Sequence, residues 1–242
     1  MILLAVAPGC TDPLSRFTKQ YKCQIAGKQE PLTAYEFVER GYEHAGQNEL
    51  DCALGACAEA IRLEPRRAAG YACRGAVLGQ QRHYGPALGD LNQAISLEPG
   101  NGDYYYTRAQ IQEKLEQPER AKEDLTKGIE LISSELGKSV AYAGRASIYQ
   151  KEGKLDEAIR DYTEAIKLAP DFAYHYNNRG KVYLERHNFE QALSDYTAAI
   201  NKDPKNQYFY KDRAEAYRRL GRIGPALTDE QTALSIAGSS QN

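Results

Sequence analysis

The chain has 242 residues, of which 42% are apolar and 26% charged, so it can fold around a sizeable core and is neither disordered nor collagen-like. Its 31 basic and 33 acidic residues give a net charge of -2, which excludes a general attraction to nucleic acid or anionic membranes. Tyrosine occurs 18 times and tryptophan never, which indicates one aromatic type reused at equivalent places.

Residues 1–33 form an N-terminal segment that opens with a short apolar run, MILLAVAP, far below the roughly 20 residues that span a bilayer. The run leads to Cys10 and resembles a bacterial lipoprotein signal, but no Lys or Arg precedes it. Three alternatives stay open: lipidation at Cys10, a misassigned start, or an N-terminal cap on the rest of the chain. The localisation is accordingly open between the cytoplasm and, if Cys10 is lipidated, a bacterial cell envelope.

A repeat of about 34 residues organises the rest of the chain, residues 34–240. It is set by one invariant alanine column: Ala53, Ala87, Ala121, Ala158, Ala192 and Ala226. The column divides the array into repeats 1 to 6, which span 34–67, 68–101, 102–138, 139–172, 173–206 and 207–240. Below, a place is a position counted from the first residue of its repeat.

Each repeat predicts two helices. Place 4 is aromatic, place 8 is Gly or Ala, and places 4, 8 and 11 lie on one helical stripe. The invariant alanine opens a second amphipathic stretch, in which small residues allow close helix approach. Prolines support the division, because Pro86, Pro118 and Pro225 suit helix starts while Pro65, Pro99, Pro170 and Pro204 follow helix ends.

This helix-turn-helix unit, with its aromatic, small, Tyr, Ala and Pro columns, resembles the tetratricopeptide repeat. The resemblance implies an all-α fold, a right-handed α-solenoid of six antiparallel helix pairs. It also implies an inner wall, lined mainly by the first helix of each pair, that binds a peptide or a partner helix. An analogy of fold indicates only this general class of function and no specific ligand.

Place 7 is Arg in all six repeats, where the family more often has an apolar residue. Place 23 is Asp in five repeats, and only repeat 1 has Ala56 there, which leaves Arg40 as the exception. Because a half-buried guanidinium is costly without a carboxylate, we predict structural ion pairs, within or between repeats. The predicted pairs are Arg74 with Asp90, Arg108 with Asp124, Arg145 with Asp161, Arg179 with Asp195, and Arg213 with Asp229.

The alternative, an arginine row that reads an acidic ligand, is disfavoured because place 7 lies about 170° around the helix from the inner-wall places. The resemblance assigns the partner-binding groove to Tyr35, Val38, Tyr42, Ala72, Ala76, Tyr106, Gln110, Ala143, Ser147, Tyr174, Asn177, Asn178, Lys181, Tyr208 and Lys211. This wall is small and apolar early in the chain and becomes polar and tyrosine-rich later.

The sequence does not contain the motifs that other functions would require. A clamp for a chaperone's C-terminal tail would need Lys, Asn and Arg at places that hold Ala143, Ser147, Tyr208 and Asp212, and only Asn178 matches. The four histidines fall at unrelated places, and no metal-binding, cofactor-binding or catalytic motif is present, which argues against an enzyme. The five cysteines have no metal spacing, and we predict structural or free thiols.

Two irregularities remain. Repeat 3 has three extra residues near Ser133 to Lys138, which predicts a longer second helix. The last repeat keeps apolar residues such as Leu227, Leu234 and Ile236 although no further repeat follows it in the array. The sequence thus predicts a non-enzymatic adaptor for a protein or peptide, with no cofactor and no nucleic-acid partner. The alternative is a self-associating structural module, assembled end to end or as a homodimer.

Overall fold

The structure, a computed structural model, describes residues 32–239. The interpretations of Cys10 and of the preceding apolar run lie outside these residues. The described part of the chain is built from twelve α-helices and contains no strand, which confirms the all-α fold. None of these helices combines the length and the apolar character that crossing a bilayer requires.

The chain divides into two compact bodies, with the division after Leu115. The N-terminal body contains helices α1 (Ala34–Gly46), α2 (Leu50–Leu63), α3 (Ala68–Gln80), α4 (Tyr84–Leu97) and α5 (Gly102–Lys114). In it α1 packs on α2 and α3 on α4, and each hairpin also packs on the helix that follows it. The first helices α1, α3 and α5 pack side by side, so one face of this body is built from first helices.

The C-terminal body contains α6 (Pro118–Leu131), α7 (Glu135–Lys151), α8 (Leu155–Leu168), α9 (Ala173–Glu185), α10 (Phe189–Lys202), α11 (Gln207–Arg219) and α12 (Ile223–Ser239). Its hairpins are α7 with α8, α9 with α10 and α11 with α12, and α9 also packs on α11. Each body, taken by itself, is therefore built from stacked helical hairpins.

The turn inside each hairpin has a left-handed residue at place 15. Gly153 and Gly221 adopt this conformation with φ of 73° and 71°. The other four repeats hold it with non-glycine residues: Asn48 and His187, whose residue types tolerate it comparatively well, and Arg82 and Glu116, whose types disfavour it. The left-handed conformation at place 15 thus recurs in all six repeats, whichever residue occupies the turn.

The three extra residues of repeat 3 are located differently from the prediction. Helix α6 has the same 14 residues as the second helices before it, so the predicted longer second helix is wrong. The extra length belongs to α7, which has 17 residues against 13 in the other first helices. Its N-cap Ser134 accepts a hydrogen bond from the Gly137 N–H, which starts this helix a turn earlier.

The arginines that recur at place 7 of each repeat form ion pairs within a repeat and hydrogen bonds to the preceding repeat. In repeat 5 the Arg179 guanidinium donates through Nε and Nη2 to the two Asp195 carboxylate oxygens, both at 2.8 Å. Its Nη1 donates to Thr163 Oγ1, 3.0 Å away, on the preceding repeat. Arg74 with Asp90, Arg145 with Asp161, and Arg213 with Asp229 make the same bidentate pair within one repeat.

These four arginine–aspartate pairs therefore lie within one repeat, while an additional hydrogen bond to a threonine hydroxyl can reach the preceding repeat. Arg145 and Arg213 repeat the second bond on Thr126 and Thr197. The predicted pair of Arg108 with Asp124 has one member in each body and stays a prediction; Arg108 donates to Asn92 in its own body. Arg40 has no carboxylate partner among residues 32–239.

The cysteines of the N-terminal body correct the thiol prediction, because Cys57 and Cys73 form a disulfide between α2 and α3. Both are fully buried, and Gly41 faces the two sulfurs. In the same way Gly75 faces Leu91 and Gly180 faces Tyr196. Since Cys57 occupies the place of Leu91 and Tyr196, the disulfide fills a core site that large side chains fill elsewhere. Only the folded hairpins bring these cysteines together, which their spacing does not indicate.

Candidate functional site

The first-helix face of the N-terminal body is a trough whose floor is helix α3. Ala69 and Ala76 lie on this floor and are half-buried, while Ala72 is buried. Helix α1 borders one side with Tyr35 and Tyr42, which are 54% and 47% exposed. We call this surface, formed by the exposed sides of α1, α3 and α5, the alanine trough.

Helix α5 forms the opposite border. Tyr106 is half-buried, Gln110 is exposed, and the Gln110 amide donates to the Tyr106 hydroxyl at 2.9 Å. Burial raises the pKa of the Tyr42 hydroxyl on α1, and the Asp103 carboxylate on α5 raises it further. The two borders are thus close enough to sense each other electrostatically across the small side chains of α3.

The trough deepens at one end into a cleft of about 450 Å³ beside Ala76 and Gly79 on α3. Its other walls include Tyr84 and Ile111, and Gln110, Glu113 and Lys114 provide the polar edge. A mostly apolar floor with a few amide and charged groups at the rim is typical of a surface that accepts apolar side chains from a peptide.

The equivalent face of the C-terminal body is already occupied by its own polar contacts. Asn177 is 2% exposed, and its amide nitrogen donates to Asp212 at 2.9 Å. The Lys181 ammonium lies 3.1 Å from the same carboxylate. Asp212 therefore organises this face, because it binds both Asn177 and Lys181. The Asn177 amide oxygen and the Tyr196 hydroxyl are buried and form no hydrogen bond with the described residues.

The tyrosines and the second lysine of this face are engaged as well. Tyr174 is 51% exposed, packs edge-on against Phe209, and accepts a hydrogen bond from the Asn206 amide. The Lys211 ammonium lies over the Tyr208 ring and donates to Gln207. Ala143, Ser147 and Asn178 are half-buried. The predicted polar wall exists, but most of its polar groups bind each other.

Two predicted groove residues of the N-terminal body and one of the C-terminal body do not contribute exposed surface. Val38, Ala72 and Asn177 are 7%, 4% and 2% exposed, and all three occupy place 5. At the same place Tyr106 is half-buried and Lys211 is exposed, so burial at place 5 differs from one repeat to another. The sequence pattern also missed Asp212, because place 6 holds a different residue type in each repeat.

One group of possible metal ligands occurs among the described residues, made of His44, Glu49 and Cys52. His44 Nδ1 lies 2.7 Å from the Glu49 carboxylate, and Cys52 is disulfide-bonded. A sulfur held in a disulfide is not the thiolate that a metal requires, so these residues do not fit a metal site.

His175 on α9 is buried and does not belong to this group of possible metal ligands. Its Nε2 is 3.1 Å from the Ser139 hydroxyl, its ring packs on Phe172, and burial lowers its pKa to about 4. We interpret it as a neutral core residue rather than a catalytic base, because its neighbours are packing contacts and a hydroxyl.

Comparison with known proteins places the chain among helical repeats. Models described as tetratricopeptide repeat match residues 102–135 and 177–241, and one described as TPR repeat matches residues 146–186. No curated protein matches the chain.

Several solved structures share the fold. YrrB, described as a TPR protein with an unusual peptide-binding site, is 27% identical, with 71% of this chain and 87% of that chain covered and a TM-score of 0.54. PilW, a type IV pilus biogenesis factor, is 12% identical with coverage of 84% and 92% and a TM-score of 0.76. MamA is 20% identical with coverage of 69% and 96% and a TM-score of 0.62. At these identities, PilW and MamA show similarity of fold alone.

Proposed function

Because this chain is a tetratricopeptide repeat protein, we propose that it is a non-enzymatic scaffold whose alanine trough binds a peptide or a partner helix. Tetratricopeptide repeat proteins bind protein or peptide partners, and the fold supplies the stacked first helices on which such partners lie. The observation that carries the proposal is the trough itself, a row of small side chains on α3 between the tyrosines of α1 and α5.

Shape supports this assignment. A floor of Ala69 and Ala76 leaves room above α3 for side chains of a partner, and the cleft beside Ala76 can accept one large apolar group. Tyr35 and Tyr42 provide rigid aromatic area at the border, which is the kind of residue that dominates binding energy at interfaces. Gln110 can exchange its bond to Tyr106 for hydrogen bonds to a peptide backbone.

The exposed charges near the trough have both signs. Glu39 and Asp103 are exposed on α1 and α5, while Lys114 lines the cleft and Arg67 lies 5.7 Å from the centre of the Tyr35 ring. A mostly apolar peptide without a strong net charge is complementary to such a rim. The similarity to YrrB supports peptide binding as the mode, while its site gives no positions for this chain.

The test is a peptide selection with two matched variants. A random peptide library is panned on the complete chain, and selected peptides are titrated against the Ala76→Arg variant, which fills the trough. The control is Ser147→Arg, because Ser147 is the half-buried place 9 residue of the C-terminal body. We expect at least a tenfold loss of affinity for Ala76→Arg and less than a twofold loss for Ser147→Arg. Equal losses, or a loss only for Ser147→Arg, would contradict the proposal.

A further inference from the structure

The cysteines of the N-terminal body belong to two disulfides with different surroundings. Cys57 and Cys73 bond to each other and are fully buried, so a dissolved thiol reaches them only when the hairpins open. Cys52 is disulfide-bonded separately from this pair and is half-buried near the start of α2. Since an attacking thiolate must reach a sulfur of the bond that it opens, Cys52 belongs to the more accessible disulfide.

A histidine and a carboxylate lie beside the Cys52 sulfur. A ring nitrogen of His44, a carboxylate oxygen of Glu49 and the Cys52 sulfur all lie within 4.8 Å of one another. Glu49 is the N-cap residue of α2, yet its side chain makes no capping bond and instead lies 2.7 Å from His44 Nδ1. The Glu49 carboxylate therefore holds the imidazole in place, and the imidazole, when protonated, puts a positive charge near the sulfur.

The position of Cys52 in its helix acts in the same direction. Cys52 is the third residue of α2, and the first turn of a helix stabilises a nearby negative charge. The neighbouring Asp51 carboxylate opposes this effect, but it is exposed and accepts a hydrogen bond from the Gln81 amide, so water and this bond weaken its repulsion. A helix N-terminus together with a cationic side chain is the environment that makes a cysteine a good thiolate.

We propose that Cys52 is a thiol–disulfide exchange site that reacts with a dithiol. One thiolate of the dithiol attacks the sulfur bonded to Cys52, a new sulfur–sulfur bond forms, and the electron pair of the old bond leaves on Cys52 as a thiolate. The second thiolate of the dithiol then attacks its own sulfur in the mixed disulfide. The dithiol is oxidised to a disulfide, and its two protons pass through water to the two thiols formed on the protein.

The neighbouring side chains have separate roles in this step. The protonated His44 ring stabilises the thiolate that leaves on Cys52, and a better leaving group speeds the exchange. Glu49 acts only through His44, which it orients. Cys57 and Cys73 have no such access, because both are fully buried and Gly41 packs on their sulfurs.

The consequence is one permanent and one exchangeable disulfide in the same body. Opening the disulfide of Cys52 leaves Cys57 bonded to Cys73, so α2 stays joined to α3 and the alanine trough keeps its floor. The Cys52 thiolate can then form a mixed disulfide with a thiol of another molecule. This activity does not depend on which peptide the trough binds.

Timed reduction and alkylation of the complete chain tests the proposal. The oxidised protein is treated with dithiothreitol at neutral pH, samples are quenched with acid and alkylated with N-ethylmaleimide, and mass spectrometry gives the reduction rate of each cysteine. We expect Cys52 to be reduced at least about tenfold faster than Cys57 and Cys73. Reduction of Cys57 and Cys73 at the same rate as Cys52, or faster, would overturn the proposal.

Three variants separate the effect of His44 from that of exposure, with each Cys52 rate expressed relative to the Cys57 rate in the same sample. His44→Gln should slow the reduction of Cys52 by about threefold or more, whereas His44→Lys, which keeps a cation, should stay within about twofold of the wild type. The control is His83→Gln, an exposed histidine of the same body, which should have no effect. An unchanged rate in His44→Gln, equal slowing in His83→Gln, or no rescue by His44→Lys would contradict the role of His44 and overturn the proposal.

Discussion

The two bodies use the same stack of helical hairpins, and they differ in how repeat 1 is stabilised. In the C-terminal body each of the three complete repeats has a bidentate arginine–aspartate pair, and each arginine also binds a threonine of the preceding repeat. In the N-terminal body, repeat 1 has Ala56 and Ala58 at the corresponding places and a buried disulfide to repeat 2 instead. The covalent bond is thus located where the ion-pair network is interrupted.

The first-helix faces of the two bodies also differ. On the C-terminal body Asn177, Lys181 and Asp212 bind one another, so a ligand would have to break these bonds before it could form its own. On the N-terminal body the alanine trough is open and its polar groups stand at the rim. This difference is the reason for proposing the N-terminal body, rather than the C-terminal body, as the peptide-binding part of the chain.

The largest expected effect is the loss of one ion pair in the C-terminal body. Asp195→Ala leaves the Arg179 guanidinium, 17% exposed, without its bidentate partner, and we expect the free energy of unfolding to fall by about 3 to 4 kcal/mol. Urea unfolding followed by circular dichroism measures this. Ala56→Asp, which supplies the missing carboxylate near Arg40, is the control and should change stability by less than about 1 kcal/mol. A small effect of Asp195→Ala would remove the distinction between the bodies.

The next effect is reduction of the disulfide, which should act on the N-terminal body. Opening the loop between Cys57 and Cys73, 16 residues apart, should cost about 3 kcal/mol through the greater entropy of the unfolded chain. Hydrogen exchange with and without reductant locates the loss, which we expect in α2 and α3. The double variant Cys57→Leu, Cys73→Ala keeps the disulfide of Cys52, so the effect of reductant that remains in this variant is subtracted as the contribution of Cys52. An unchanged exchange pattern in the wild type would contradict this prediction.

Acid should weaken the C-terminal body through His175. The unfolded chain takes up a proton near pH 6.5, whereas burial delays protonation of the folded chain to about pH 4. The contribution of neutral His175 is therefore complete above pH 6.5 and is lost as the pH falls to about 4, which should cost about 2 to 3 kcal/mol. In His175→Phe, which copies Phe209 of repeat 6, the stability loss over this pH window should shrink by that amount. The same loss in both proteins would refute the assignment.

The smallest expected effect concerns the left-handed turn residue. Arg82 has φ of 63°, and Arg82→Gly should stabilise the N-terminal body by up to about 1 kcal/mol because glycine adopts this conformation without strain. Gly153→Ala in the C-terminal body should be destabilising by a similar amount. Thermal unfolding of the two variants measures both effects, and a stabilisation by Gly153→Ala would show that the turn geometry does not govern these positions.

The repeated features of the fold could be predicted from the sequence because each leaves a column. The period, the hairpins and the coupling of Arg145 with Asp161 or Arg213 with Asp229 follow from residues that recur in register. Features that occur once were missed. The disulfide joins two cysteines that only the packed hairpins bring together, and the early start of α7 depends on the Ser134 cap.

The site was predictable to the level of a helix face. The resemblance selected one face of the first helices, but it could not tell exposed from buried members, because burial at place 5 differs from one repeat to another. Ala72 and Asn177 illustrate this, since both are covered by adjacent helices. Asp212 left no pattern in the sequence and is recognised only through the groups it binds.

The measurement that tests the central claim most directly is hydrogen exchange of the complete chain with and without a peptide selected on it. The account predicts slower amide exchange in α1, α3 and α5 on binding, with little change in α9 and α11. Slower exchange confined to α9 and α11 would contradict the account and place the binding surface on the C-terminal body.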